Sequence, residues 1–209
     1  MSQTKTRILK TALFLFNKDG YSNVTIRNIA TELKMSSGNL NYHFRKREEI
    51  LEALYFEMVA AFDQRIDALG QTAITIQTIK EDMQHSLERM ISYRFFWTDL
   101  YNILRQNEAI RSHFEKAYLR RFQGYEQLFA YLNHQGLMKD FEFEKEASLL
   151  IEGMIGFSNT WLYNSLVYNK NGVELDAEQP TLQLISMLYP YLTNQGKAEF
   201  RKVMLGVLG

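Results

Sequence analysis

Only two prolines and eleven glycines interrupt 209 residues, and apolar side chains recur every three or four positions almost from one end to the other. That spacing places them on one face of a helix, whereas a half-buried strand would need strict alternation. The pattern predicts an all-α fold with long helices and few breaks. Hydrophobic residues make up 46% of the chain, enough to bury a real core as one large domain or as a small domain leaning on a larger one.

The first helix is expected within "TKTRILKTALFLFNKDGY", with Ile8, Ala12, Leu13 and Phe16 on one face and Gly20 as its stop. Thr25 is placed to cap a second helix carrying the stripe Ile26, Ile29, Ala30 and Leu33. Ser36 or Ser37 caps a third, very short helix anchored by Leu40 and Phe44. From Lys46 a long fourth helix runs through Ile50, Leu51, Leu54, Tyr55, Met58, Phe62, Ile66 and Leu69 to Gly70. Further helices are expected over about 75–93, 95–104, 108–135, 144–168 and 180–194, followed by a short one in the tail "KAEFRKVMLGVLG". Pro180 suits a first turn, and Pro190 should kink or end its helix. Residues 1–46 read as a small head and 47–209 as a larger helical body, joined rigidly by the fourth helix.

Cysteine is absent, which excludes disulfides, zinc–thiolate sites and thiol nucleophiles. No apolar run reaches the roughly 18 residues of a membrane span, and the start lacks a signal peptide, so a soluble cytoplasmic protein is expected. His43, His85, His113 and His134 lie far apart without metal-ligand spacing, and neither a Gly-rich phosphate loop nor paired carboxylates in an apolar setting are present. No enzyme, metal or cofactor is expected. Net charge is zero overall, yet residues 1–50 hold nine Lys or Arg against four acids, and the remainder holds fifteen against twenty. A basic head on an acidic body suggests that the head meets a polyanion.

The segment 36–44, "SSGNLNYHF", is built from poor helix formers although it lies between two apolar helices. Two helices joined by a three-residue turn, the second polar outside and pinned by two apolar residues, describe a helix-turn-helix. Ala30 supplies the small residue at the crossing, and Leu40 the apolar residue ten positions later. Lys34 stands at a turn position whose backbone goes left-handed and where glycine is common, at a cost of about 1 kcal/mol. In this frame Gly38 allows close approach to DNA, and Asn39 and Asn41 offer the donor and acceptor that match adenine in the major groove. Tyr42 and His43 reach phosphates, while Thr25 and Ser36 set helix N-termini, with their free N–H groups, toward the backbone. The assigned interface is Thr25, Arg27, Ser36, Ser37, Gly38, Asn39, Asn41, Tyr42, His43, Lys46 and Arg47, with Arg45 beside it. Singly, these residues fit a frayed surface turn equally well. Together, with helical stripes at the right spacing on both sides, they point to nucleic acid.

The stretch "TIRNIATELKMSSGNLNYHFRKREEIL", residues 25–51, resembles the DNA-binding segment of the tetracycline-repressor (TetR) family. Thr25, Ile29, Ala30, Ser36, Gly38, Leu40, Phe44, Glu48 and Glu49 match its pattern in register. The family usually has Tyr where this chain has Asn41 and Lys where it has Arg47, so a phosphate contact by Tyr is carried over to Tyr42 and His43 instead. Residues 93–114 are similar to one C-terminal subgroup. The resemblance implies a homodimer on a palindromic double-stranded DNA operator, most often as a repressor. It also implies a small-molecule pocket in the body, whose ligand moves the fourth helix and changes the spacing of the two heads.

The body is rich in aromatic residues. At helical spacing most are core, but some suit a cavity for an apolar or aromatic effector, and Trp97, Tyr101, Tyr125, Phe157 and Trp161 are the pocket candidates. The segments within about 144–194 carry apolar residues on more than one face, so they can pack on their own body and on a second copy. Gly153 and Gly156 permit close helix approach there, or leave room for a ligand. The alternative reading is a TetR-like helical protein that has no small-molecule effector and acts through a protein partner.

Overall fold

The computed structural model describes residues 2–69, 73–168 and 174–206, with side chains of 63–69 excepted. Eleven α-helices appear among them: α1 (Gln3–Asp19), α2 (Ile26–Glu32), α3 (Ser37–His43), α4 (Arg47–Leu69), α5 (Ile76–Ser92), α6 (Arg94–Thr98), α7 (Leu100–Gln106), α8 (Glu108–His134), α9 (Glu146–Tyr168), α10 (Glu178–Ser186) and α11 (Asn194–Met204). The described residues contain no strand, only an isolated antiparallel bridge between Met138 and Leu192. The all-α expectation holds. Gly70, the side chains of Ile66 and Leu69, and residues 207–209 of the tail lie outside the described residues.

The chain forms two compact units, Met1–Gln71 with Ser92–His113, and Thr72–Ile91 with Phe114–Gly209. In the first, α1 buries Ile8, Leu9, Ala12, Leu15 and Phe16, so its inner face includes Leu9 and Leu15 while Leu13 is only half-buried. Phe16 meets Tyr21 edge-on at 5.2 Å and Phe95 at the same ring separation. Along α4, Ile50, Leu51, Leu54, Tyr55 and Met58 form a continuous buried stripe, and Tyr55 stacks on Phe96 at 5.2 Å. Burying such side chains supplies roughly 1.5–3 kcal/mol each against exposure, the main force holding this unit.

Polar ties fix the register of that packing. Asn17 Nδ2 donates to the Ser92 carbonyl at 2.8 Å and Asn17 Oδ1 accepts from Phe95 N–H at 3.1 Å, tying α1 to the α5–α6 junction. Asn107, itself buried, accepts from Ile110 N–H at 2.9 Å in the first turn of α8 and donates to Glu52 of α4 at 2.8 Å. The Tyr55 hydroxyl and His113 Nδ1 lie 2.9 Å apart. Residues 92–113 therefore brace α4 within the same unit.

The helix expected over 95–104 is two helices. Thr98 Oγ1 donates back to the carbonyls of Arg94 and Phe95, and Asp99 leaves helical geometry at φ −119° and ψ 21°. A hydroxyl that competes for backbone acceptors favours such a break.

In the second unit, α5 turns Ile76, Ile79, Met83, Leu87 and Met90 inward, and α9 turns Ile151, Met154, Ile155, Trp161 and Leu162 inward. The helix expected over 180–194 ends at Ser186, ahead of Pro190, which sits in a 3₁₀ turn at Tyr189–Tyr191. The last helix starts at Asn194 because Thr193 Oγ1 accepts from Gly196 N–H at 3.1 Å. Residues 136–139 and 191–196 lie back to back: Lys139 N–H donates to the Tyr191 carbonyl at 2.8 Å, and Thr193 N–H to the Leu137 carbonyl at 3.0 Å. A Cβ on Gly196 would stand 2.1 Å from the Leu137 oxygen, so only glycine fits there.

Candidate nucleic-acid interface

Thr25 and Asn28 cap α2 reciprocally. Thr25 Oγ1 accepts from Asn28 N–H at 3.2 Å, and Asn28 Oδ1 accepts from Thr25 N–H at 2.8 Å. Such a box satisfies two orphan helix-start donors, and here Asn does the work usually given to Glu or Gln. Helix α2 then buries only Ile29 and Ala30. The chain turns at Lys34, whose φ of 55° makes it the only non-glycine residue with left-handed backbone among those described. Met35 N–H donates to the Ala30 carbonyl at 3.0 Å to close the turn.

Ser36, not Ser37, is the cap of α3, its Oγ accepting from Asn39 N–H at 3.1 Å. One residue of α3, Leu40, is buried, and Phe44, the residue just beyond the helix, is buried as well. Everything else on this helix looks outward or sideways. Gly38, Asn39, Asn41 and Tyr42 are exposed, Tyr42 to 86%, while Ser37 and His43 are half-buried. The side-chain amides of Asn39 and Asn41 have no intramolecular partner among the described residues. Gly38 has negative φ, and a Cβ built on it meets nothing nearer than Ser36 Oγ at 4.0 Å. The fold itself does not require glycine there.

Arg27, Arg45 and Lys46 are exposed, and no carboxylate side chain pairs with any of them by a salt bridge among the described residues. Arg47 has another task. Its Nη1 donates to the carbonyls of Tyr21 at 3.0 Å, Ser22 at 3.3 Å and Val24 at 3.1 Å, and its guanidinium lies 4.1 Å from the Tyr21 ring centre. It clamps the turn before α2 onto the start of α4. Burial pushes the Tyr21 hydroxyl pKa up, with the Arg47 charge acting against it. Neither this clamp nor the role of Asn28 was visible in the sequence, since neither Arg of "RKREE" carries a sign of where its head points. A shallow open groove of about 440 Å³ beside α1 and α2 is rimmed by both Lys18 and Arg27 and by Asp19 and Glu32, so it favours neither sign of charge.

The residues assigned to a body pocket fall into two groups. Trp97, buried, and Tyr101, 76% exposed on α7, belong to the first unit. Tyr125 and Phe157, half-buried, and Trp161, buried, belong to the second. Tyr101 faces outward, a position unlike that of a cavity lining. In the second unit Arg121 Nη1 donates to Asn159 Oδ1 at 2.8 Å, linking α8 to α9 beside Tyr125. Sequence reasoning missed both partners. No group of three or more metal-ligating side chains is found among the described residues, and no helix among them is long and apolar enough to cross a membrane.

Two capped helices around a left-handed turn, the second held by one side chain and spending the rest of its surface outward, make a helix-turn-helix protein. More narrowly, the chain belongs to the TetR family of bacterial transcriptional regulators. Residues 8–54 match the bacterial regulatory proteins of the tetR family, and residues 57–200 match a further TetR description, bacterial transcriptional repressor. A TetR-family transcriptional regulator from Marinobacter aquaeolei VT8 has the same fold, with a TM-score of 0.81, 27% identity, and 98% of this chain and 97% of that one covered. A transcriptional regulator from Saccharomonospora viridis solved in complex with choline shares the fold at TM-score 0.72, 24% identity, and 93% and 100% coverage. AibR, solved in complex with isovaleryl coenzyme A and operator DNA, shares it at TM-score 0.67, 19% identity, and 90% and 98% coverage. Two HTH-type transcriptional regulators of Bacillus subtilis, YttP and YerO, are each 24% identical, over 44% and 90% of this chain. The chain spans 44% and 64% of the lengths of these two relatives.

Proposed function

We propose that the chain is a transcriptional repressor that binds a palindromic operator as a homodimer and is released by a small-molecule effector. The observation that carries the DNA reading is the outer face of α3: two asparagine amides without a partner among the described residues follow a glycine that the fold does not need. In this reading Asn39 and Asn41 contact base edges, and Gly38 admits the backbone of α3 to the groove. Thr25, Arg27, Ser36, Ser37, Tyr42, His43 and Lys46 hold phosphates and set the register. Arg47 contributes by fixing the head on α4. Residues 1–46 act as the DNA-binding head and 47–209 as the effector-binding and dimerisation body.

The dimer reading is supported by α9. Its outward face carries Leu149, Gly153, Gly156, Thr160, Tyr163 and Val167 at alternating steps of four and three, all exposed. A Cβ on either glycine would meet nothing within 4 Å, so this face has room for another helix at close range. A two-fold seam through about 144–194 would cover it. The match of residues 57–200 to bacterial transcriptional repressors supports repression, and the complexes of relatives with choline and with isovaleryl coenzyme A support an effector. A ligand acts by preferring the dimer whose head spacing does not fit DNA.

The test is selection of bound duplexes from a random DNA pool at moderate salt, then titration of the winner. An inverted repeat that binds two protomers or a multiple of two is the expected result. A winner without dyad symmetry, bound by one protomer, refutes the dimeric reading. No enrichment at all moves the protein-partner reading ahead.

A further inference from the structure

On α1 the residues Arg7, Lys10, Phe14 and Lys18 recur at steps of three, four and four, so their side chains share one outward stripe. All four are exposed, Phe14 to 57%, and the Lys18 ammonium lies 6.0 Å from the Phe14 ring centre. The helix holds no acid before Asp19. No carboxylate pairs with these three cations by a salt bridge among the described residues. A phosphate backbone would use the cations but has no need of the phenylalanine set between two lysines.

The loop before α9 carries the complement. Phe141 is anchored inward, its ring centre 5.8 Å from that of Phe129 and 5.6 Å from that of Tyr191. Glu142 N–H donates to a Glu146 carboxylate oxygen and Glu146 N–H to the Phe143 carbonyl at 3.0 Å, which fixes the loop on the first turn of α9. That leaves Phe143 outward, 55% exposed, between Glu142 and Glu144. Both glutamates are exposed, and neither pairs with a cation by a salt bridge among the described residues. An exposed ring by itself is ordinary; here each ring sits between two like charges, and the two settings are of opposite sign. The spacing agrees too. Lys10 and Lys18 each stand about 6 Å along the helix axis from Phe14, while the Cα atoms of Glu142 and Glu144 lie within about 7 Å of each other on either side of Phe143. With the two rings in contact, each glutamate meets a lysine whose long side chain spans the remaining gap.

We propose that α1 of one copy docks the 142–144 loop of a second copy, Phe14 on Phe143 between two lysine–glutamate pairs. The two surfaces differ, so the contact is heterologous and adds copies in a row or ring instead of closing a pair. It needs neither DNA nor the seam on α9. A patch this small makes only a transient contact in free solution. Copies held side by side on one duplex meet it at a far higher effective concentration, so it would make the filling of neighbouring sites cooperative. That last consequence rests on the DNA reading above.

The experiment is sedimentation velocity of the full chain over a range of protein concentrations, at about 20 mM and about 300 mM salt, because screening weakens exposed charge pairs at the higher salt. Larger species are expected to grow with concentration at low salt and to vanish at high salt. Phe14→Ser and Phe143→Ser keep the charge and should each weaken that growth by about tenfold, which excludes attraction of net charge alone. Lys10→Glu with Lys18→Glu, and separately Glu142→Lys with Glu144→Lys, should each abolish it. Mixing these two double variants should restore it, since a reversed stripe then meets a reversed loop. All these positions are exposed, so unchanged melting temperatures show that each variant is folded. No larger species at low salt, growth unchanged in Phe143→Ser, or a mixture no more associated than its parts overturns the proposal. A reversed stripe that weakens binding of random duplex but leaves the growth intact also overturns it and gives α1 to DNA. Gly153→Leu keeps the two contacts apart: it should shift the species present at high salt and leave the salt-dependent growth. If duplex selection enriches nothing while the growth appears, the DNA reading falls and this contact stands.

Discussion

Helices α3 and α9 invert each other's design. Helix α3 has seven residues, buries one of them, and displays amides, a glycine and a tyrosine. Helix α9 has 23 residues, buries a full apolar face, and still shows Leu149, Tyr163, Leu166 and Val167 on the other. A short polar helix cannot be stable through propensity or packing of its own, so caps and neighbours must hold it. A long helix apolar on both sides needs no such help but leaves a face to be covered. Instability of sequence marks the first surface, and surplus of hydrophobicity marks the second.

Replacing Leu40 by Ala tests the first half of that contrast most severely. It removes the single buried anchor of α3 and should cost about 2–5 kcal/mol in urea denaturation. A cost below that of ordinary surface changes would mean that α3 is held by something other than its anchor. Arg47→Met should come next, at about 2–3 kcal/mol, because three backbone carbonyls lose a charged donor together. Its DNA salt slope should stay that of the wild type, whereas Lys46→Ala should leave stability alone and flatten that slope by about one.

Asn39→Ala separates interface from fold. Stability should change by less than about 0.5 kcal/mol, while DNA binding weakens by about 1–3 kcal/mol and base preference relaxes at one half-site position. Uniform weakening on every sequence would make Asn39 a phosphate contact. The smallest effect is expected from Lys34→Gly, which relieves the left-handed backbone at φ 55° and should stabilise by about 1 kcal/mol or less. For α9, Gly153→Leu fills open space and should leave the monomer fold intact while shifting the sedimentation-measured dimer constant. An unchanged constant moves the seam off this face.

What the sequence by itself determined was local. The all-α class, the cap at Thr25, the left-handed turn at Lys34, the cap at Ser36 and the anchor pair Leu40 and Phe44 all follow from chemistry within about one helical turn, where spacing in sequence is spacing in space. The break at Asp99 and the early end of α10 escaped notice because side-chain competition and packing there outweigh an unbroken apolar period. Only the tertiary structure decided the rest. Arg47 reaches carbonyls 23 to 26 residues away, Asn17 bridges to Ser92, Asn107 ties α8 to Glu52, and Arg121 finds Asn159 across 38 residues. A long polar side chain has many possible partners in sequence. Burial makes one of them its nearest dipole, and that choice exists only after the helices have packed.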